Sequence, residues 1–130
     1  MIYLDTSVAL AHLLSEDRIP SYDLWKQSLV SSRLLEYELW TRIHARKLGE
    51  SHGEHVRTLL GHVALMELVP STLARAMEPF PVPVRTLDAL HLASIDFLQK
   101  RSQKLSLATY DERLSTVAKA MGIEIALEYL

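Results

Sequence analysis

Four carboxylates stand where chemistry can be built. Asp5 closes the apolar run Ile2-Tyr3-Leu4 and opens Leu4-Asp5-Thr6-Ser7. Glu38 lies in Ser32-Arg33-Leu34-Leu35-Glu36-Tyr37-Glu38-Leu39. Asp88 falls in the first turn of Arg85-Thr86-Leu87-Asp88-Ala89-Leu90-His91-Leu92-Ala93, and Asp111 follows in Ala108-Thr109-Tyr110-Asp111-Glu112-Arg113-Leu114. Apolar neighbours of the core type flank each one, so each is expected at the core's edge. Carboxylates brought together cannot all stay ionised without a counter-charge. A hard divalent cation supplies one, and all-oxygen ligation suits Mg²⁺ or Mn²⁺. Such an ion keeps several waters and prefers phosphate oxygens as outer ligands. One ion acidifies a bound water and a second stabilises a leaving oxygen, and phosphodiester hydrolysis uses both functions. Thr6, Ser7 and Thr109 can orient waters or phosphate oxygens, or simply cap helices.

Taken singly, each acid has an ordinary structural role. Asp5 and Asp111 suit helix N-caps. Asp88 suits the positive end of a helix dipole. Glu38 can pair with Arg42 one turn on. The combination is what points to a metal site.

The elements that must position these acids can be read from apolar spacing. Ile2-Tyr3-Leu4 predicts a buried strand, followed by a helix from Val8 to Leu14. Pro20 suits the first turn of a second helix through Lys26. Leu29-Val30-Ser31 predicts a strand. Leu34, Leu35, Leu39, Ile43 and Leu48 recur at helical spacing, which predicts a helix over Ser32–Lys47 ended by Gly49. A further amphipathic helix is expected from His52 to Leu65. Glu67-Leu68-Val69 predicts the third strand, closed by Pro70, with a short helix from Ser71 to Met77. Pro79, Pro81 and Pro83 forbid regular structure. Thr86–Gln99 predicts a long helix, Lys104–Ala108 a strand, Asp111–Met121 a helix stopped by Gly122, and Ile123–Ala126 the last strand. Strands alternating with helices predict an α/β fold in one domain over residues 1–130. Its centre is a parallel sheet of four to five short strands with helices on both faces. Ligands of such sheets bind beyond the strands' carboxyl ends, where Asp5 and Asp111 fall.

The composition sets the frame. The chain has 130 residues, 48% hydrophobic and 23% charged, which is enough apolar material for a core. No stretch is long and apolar enough to span a bilayer. Met1-Ile2-Tyr3-Leu4-Asp5 has neither the basic nor the apolar region of a signal peptide, so a cytoplasmic location is expected. The absence of cysteine excludes disulfides and thiolate metal sites. The formal charge of -2 is no attraction for nucleic acid. Yet if four of the 16 acids serve a cation, 12 remain against 14 Lys and Arg, and the sign reverses.

The four acidic blocks also resemble those of PIN domains in order and spacing along essentially the whole chain. The compact length and Asp-Ala-Leu-His-Leu-Ala at 88–93 look most like VapC-type toxins. The resemblance implies a PIN-like nuclease domain in which Asp5, Glu38 and Asp88 are the central metal-site acids and Asp111 the fourth. Asp96 is a rival for that fourth place, about 80° around the helix from Asp88 and two turns further from its start. The resemblance further implies an Mg²⁺- or Mn²⁺-dependent endoribonuclease with RNA as substrate. A small cognate antitoxin protein and a homodimer come with it.

Other residues have two readings each. His52, His55 and His62 share a helical face that can bind a transition metal or stay solvated, and no further ligand completes a set nearby. His91 follows Asp88 by one turn and suits a core histidine with a satisfied hydrogen bond. Arg33, Arg42, Arg46 and Lys47 give the Glu38 helix a basic side for RNA phosphate or for water. Arg85 and Arg113 stand beside proposed site acids and can hold phosphate or form salt bridges. Trp25, Tyr37 and Trp40 suggest surplus apolar surface, and so a groove for a partner segment.

Four alternatives stand beside this reading. A housekeeping PIN nuclease of RNA processing shares the chemistry without the antitoxin. A phospho-acceptor enzyme would want a second Asp two residues after Asp5, where Ser7 stands. A receiver domain would want an acceptor Asp after the middle strand, where Pro70-Ser71-Thr72 follows. A non-catalytic RNA- or protein-binding module does not need all four acids.

Overall fold

The computed structural model describes residues 1–101 and 104–130. Five strands form one sheet: β1 (Ile2–Leu4), β2 (Leu29–Ser32), β3 (Val63–Met66), β4 (Ser106–Ala108) and β5 (Glu124–Ile125). Their order is β3-β2-β1-β4-β5, and every pairing is parallel. The connecting helices are α1 (Thr6–Leu13), α2 (Arg33–Ala45), α3 (Gly49–Gly61), α4 (Pro70–Ala76), α5 (Thr86–Lys100) and α6 (Glu112–Ala120).

The strands are too short to carry the fold alone, and their alternation supplies the layers. Ile2, Leu4, Leu29 and Ala108 point into one apolar cluster with Val8 and Leu13 of α1, Leu35 and Leu39 of α2 and Val56 of α3. Tyr3, Val30 and Leu107 point into the other with Leu92 and Ile95 of α5 and Leu114 and Val117 of α6. Successive residues on a strand face opposite ways, so both faces are covered. The expected α/β architecture is the observed one.

Strand order runs outward from β1 through β2 to β3, then returns to β4 on β1's other side. The reversal leaves a crevice between the carboxyl ends of β1 and β4, where ligands of open α/β sheets bind. The Asp5 N–H donates to the Ala108 carbonyl at 3.0 Å, which holds the two strand ends in register at that point.

Several boundaries differ from the sequence expectations. The third strand is Val63–Met66, not Glu67-Leu68-Val69, because Val63–Met66 pairs residue for residue with Leu29–Ser32. Glu67 leaves the sheet to bind Arg33 at 2.8 Å. The helix expected over 52–65 therefore stops at Gly61 and begins earlier, at Gly49. Gly49 opens a helix rather than ending one. Lys47, at φ 57°, makes the left-handed break after α2. Pro20 starts no α-helix. The segment Tyr22–Lys26 is a single 3₁₀ stretch capped by Ser21, whose N–H is tied to the Tyr129 carbonyl. No described helix is long and apolar enough to cross a membrane.

Candidate active site at the carboxyl edge of the sheet

Three of the four acids stand at the start of a helix and Glu38 within one, and two of those helix starts are capped by the acids themselves. Asp5 caps α1 and accepts from the Ser7 N–H at 3.3 Å. The same oxygen, Oδ2, accepts from Ser7 Oγ at 2.6 Å and from Thr109 Oγ1 at 2.8 Å. Among the described residues no hydrogen bond reaches Oδ1. Thr109 and Ser7 are oriented in turn. Thr109 Oγ1 accepts from the Asp111 N–H at 3.0 Å, and Ser7 Oγ accepts from the Tyr110 N–H at 2.9 Å. The loop after β4 and the turn after β1 are thus laced together around the Asp5 carboxylate.

Asp111 caps α6, its Oδ1 accepting from the N–H groups of Arg113 and Leu114 at 2.9 and 3.2 Å. Asp88 stands in the first turn of α5. Between the two lies the Arg85 guanidinium. It donates to Asp88 Oδ2 from Nε at 2.9 Å, with Nη2 2.8 Å from the same oxygen, and Nη2 donates to Asp111 Oδ2. Burial pushes the Asp88 carboxyl above the ordinary carboxylate range, and Asp111 and Asp5 push the same way against the pull of Arg85. Burial would raise Asp111 too, but the Leu114 N–H, Arg85 and the Arg113 N–H outweigh it and hold this carboxyl below that range.

Glu38 projects from α2 and does not pair with Arg42. Its Oε1 lies 2.5 Å from His91 Nε2, and His91 Nδ1 lies 2.8 Å from the Tyr3 hydroxyl. His91 is almost wholly buried. Burial lowers its basicity, but the Tyr3 hydroxyl, Glu38 and Asp5 more than reverse that and raise its pKa to about 10. Protonated, the ring donates to both neighbours. The expectation of a satisfied core histidine holds, and the bond to Glu38 ties His91 to a residue of the cleft wall from behind. Tyr3 carried no signal of this in sequence, since a buried strand aromatic reads as core.

All four acids line one cleft of about 450 Å³, together with Thr6, Arg42 and Arg85. They come from four elements separated widely in sequence. They do not stand as a ready ligand set: among the described residues no three His, Asp or Glu side chains are gathered closely enough to hold an ion as they are. Protein cations do that balancing instead, Arg85 for Asp88 and Asp111 and His91 for Glu38.

Asp96 is not part of this cleft. It pairs with Arg75 at 3.3 Å and Lys100 at 3.1 Å, beside a separate hollow between α4 and α5. Of the basic residues on α2, Arg42 lines the cleft, while Arg33 is engaged by Glu67 and Glu36. The three aromatics do not form one groove. Trp25 joins His12, His55 and His62 around a depression of about 330 Å³, Trp40 stacks on His44, and Tyr37 stands exposed on α2. His52 bonds Ser51 Oγ at 2.7 Å.

The comparisons with known proteins agree with this geometry. The model of the PIN domain family matches residues 2–120. The chain is 32% identical over 127 residues to Ribonuclease VapC46 of Mycobacterium tuberculosis, covering 95% of each chain. It is 29% identical over 133 residues to Ribonuclease VapC47 of a second strain of that organism, covering 97% of this chain and 96% of the other. A five-stranded parallel sheet with an acidic cleft at its switch point, matched almost end to end by these relatives, makes this chain a VapC-type member of the PIN-domain family.

Proposed function

We propose that residues 1–130 form a single nuclease domain that hydrolyses RNA phosphodiester bonds with Mg²⁺ or Mn²⁺, acting in the cytoplasm as the toxin of a type II toxin–antitoxin pair. The observation that carries this is the meeting of Asp5, Glu38, Asp88 and Asp111 in one cleft at the switch point of the sheet. The ribonuclease names of the relatives supply the substrate class.

The donors suit a hard cation. All four are carboxylates. Thr6 lines the cleft with its Oγ1 buried and without a hydrogen-bond partner, a polar atom that a water on an ion would satisfy. Asp5 keeps Oδ1 available. When bound, the ion supplies Lewis acidity toward a phosphate oxygen and activates a water. The chain's own residues do the positioning. Ser7 and Thr109 fix the Asp5 carboxylate by its Oδ2. His91 fixes Glu38, as outer partners orient metal ligands generally. Arg42 lines the cleft as a cation for the substrate phosphate, while Arg85 holds Asp88 and Asp111.

A nuclease of this kind needs an inhibitor, and a small antitoxin is the proposed partner. A basic side chain at its tail would pair with a cleft carboxylate, and its apolar residues would seat on an exposed helix face. A homodimer is the proposed assembly.

The test is cleavage of a defined RNA panel with Mn²⁺ or Mg²⁺, with and without chelator, alongside co-expression with the neighbouring small open reading frame. Metal-dependent cleavage, arrest of growth and co-purification of the small protein are the expected results. Cleavage with no arrest and no co-purifying partner would favour the housekeeping nuclease. Cleavage indifferent to chelator would overturn the metal assignment.

A further inference from the structure

Among the described residues the cleft meets a polyanion with one cation that no salt bridge engages, Arg42. Its carboxylates repel phosphate, and Arg85, the cation between Asp88 and Asp111, is already shared by both. An RNA strand therefore needs positive charge on the protein just beyond the acids.

A second groove supplies it. It holds about 350 Å³ and shares Arg85 and Asp88 with the cleft, so the two are contiguous along that wall. Its remaining lining is Pro83, Val84, Arg113 and Val117. The size falls within the roughly 300–1,000 Å³ of small-ligand sites. Its chemistry is divided, with an apolar side from Pro83, Val84 and Val117 and a basic side from Arg113. That is the pattern for a nucleotide, whose base or ribose packs on apolar atoms while its phosphate meets a cation.

Arg113 is suited to that task. It is exposed at the start of α6, and among the described residues its guanidinium makes no salt bridge and no side-chain hydrogen bond. Its backbone N–H donates to Asp111 Oδ1 at 2.9 Å, so the residue is anchored beside a cleft acid while its side chain stays uncommitted. Of the other cations that line the cleft or the groove, Arg85 is engaged by Asp88 and Asp111, and Arg42 lines the cleft but not this groove.

We propose that the groove between the Pro83–Val84 segment and α6 is the subsite for the RNA nucleotide adjoining the scissile phosphate, with Arg113 as its phosphate ligand and Val84 and Val117 as its apolar wall. The inference rests on the RNA-nuclease reading above and adds to it a direction for the strand, from the acidic cleft past Arg85 toward α6.

The experiment compares the full chain with Arg113→Gln and with Arg57→Gln, a control outside both cavities. Fluorescence anisotropy with a labelled single-stranded RNA oligonucleotide, in chelator so that no cleavage occurs, is run across a salt series. Steady-state cleavage of the same RNA is measured with Mn²⁺. Arg113→Gln is expected to weaken RNA binding about tenfold, evenly across sequences, and to reduce the slope of log affinity against log salt by roughly one phosphate, about 0.7. KM should rise with kcat unchanged, and Mn²⁺ affinity by calorimetry should equal that of the unaltered chain. Arg57→Gln should change none of these, and Arg113→Lys should restore part of the affinity. If Arg113→Gln matches the unaltered chain in KM and salt slope, the subsite is overturned while the nuclease reading stands. A fall in kcat or in Mn²⁺ affinity at unchanged KM would also overturn it, by giving Arg113 a structural role at Asp111. If the unaltered chain neither binds nor cuts RNA, the nuclease reading itself fails.

Discussion

His91 Nε2 and Glu38 Oε1 meet at 2.5 Å, and the pair joins α5 to α2 across the end of the sheet. His91 is buried, and Glu38 is mostly so while it faces the cleft. This bond gives the site a pH signature. The folded His91 pKa of about 10 lies above the ordinary 6.5. Its stabilisation is therefore full below about pH 6.5 and is lost progressively as pH rises toward 10. Urea denaturation of the chelated protein at pH 6, 8 and 9.5 should show falling stability. His91→Gln should flatten that slope and lower stability by about 3 kcal/mol at pH 6, because it leaves Glu38 without its buried counter-charge. The imidazole resonances followed by NMR give an independent check. A ring that titrates near 6.5 in the folded chain would remove the ion pair from the account.

Asp5→Asn and Asp88→Asn should fold and should lose RNA cleavage by about a hundredfold or more, since each removes a negative ligand at nearly constant shape. Asp88→Asn should also melt at a slightly higher temperature in chelator, because burial and two neighbouring acids already disfavour its charge. Thermal melts and single-turnover cleavage at matched Mn²⁺ test both statements. Wild-type cleavage by either variant would remove that residue from the metal site.

Arg85 competes with any cation for Asp88 and Asp111. Arg85→Gln should therefore bind Mn²⁺ more tightly, on the order of tenfold for a difference of about 1.4 kcal/mol, while melting at a lower temperature in chelator. Calorimetric titration with Mn²⁺ decides it. Weaker Mn²⁺ binding would mean that Arg85 organises the carboxylates for the ion instead of opposing it.

Asp96→Asn should leave RNA cleavage within about twofold of the parent. Its partners Arg75 and Lys100 lie beside a different hollow from the one that holds Asp5 and Glu38. Only a modest loss of stability is expected from partly exposed ion pairs. A large loss of cleavage would return Asp96 to the list of site acids.

Much was legible in the residues alone. Alternation and helical spacing are local properties, so the α/β class, the helix at α5 and the strand before Asp5 could be read directly. The cap positions of Asp5 and Asp111 follow from residue type at a strand-to-helix turn. The boundary between α3 and β3 could not be read that way. The stretch from Val63 to Val69, apolar except for Glu67, fits a helix end or a strand, and only pairing with Leu29–Ser32 selects Val63–Met66. The sequence also singled out the four acids that line the cleft but not their balance. That Arg85 joins Asp88 to Asp111, that His91 and not Arg42 takes Glu38, and that Asp96 turns away to Arg75 all depend on distances across elements. Charge–charge and hydrogen-bond energies act over a few ångströms of space irrespective of chain separation. The residue types were therefore set by the sequence, and the partners were chosen by the β1–β4 switch point that brings those elements together.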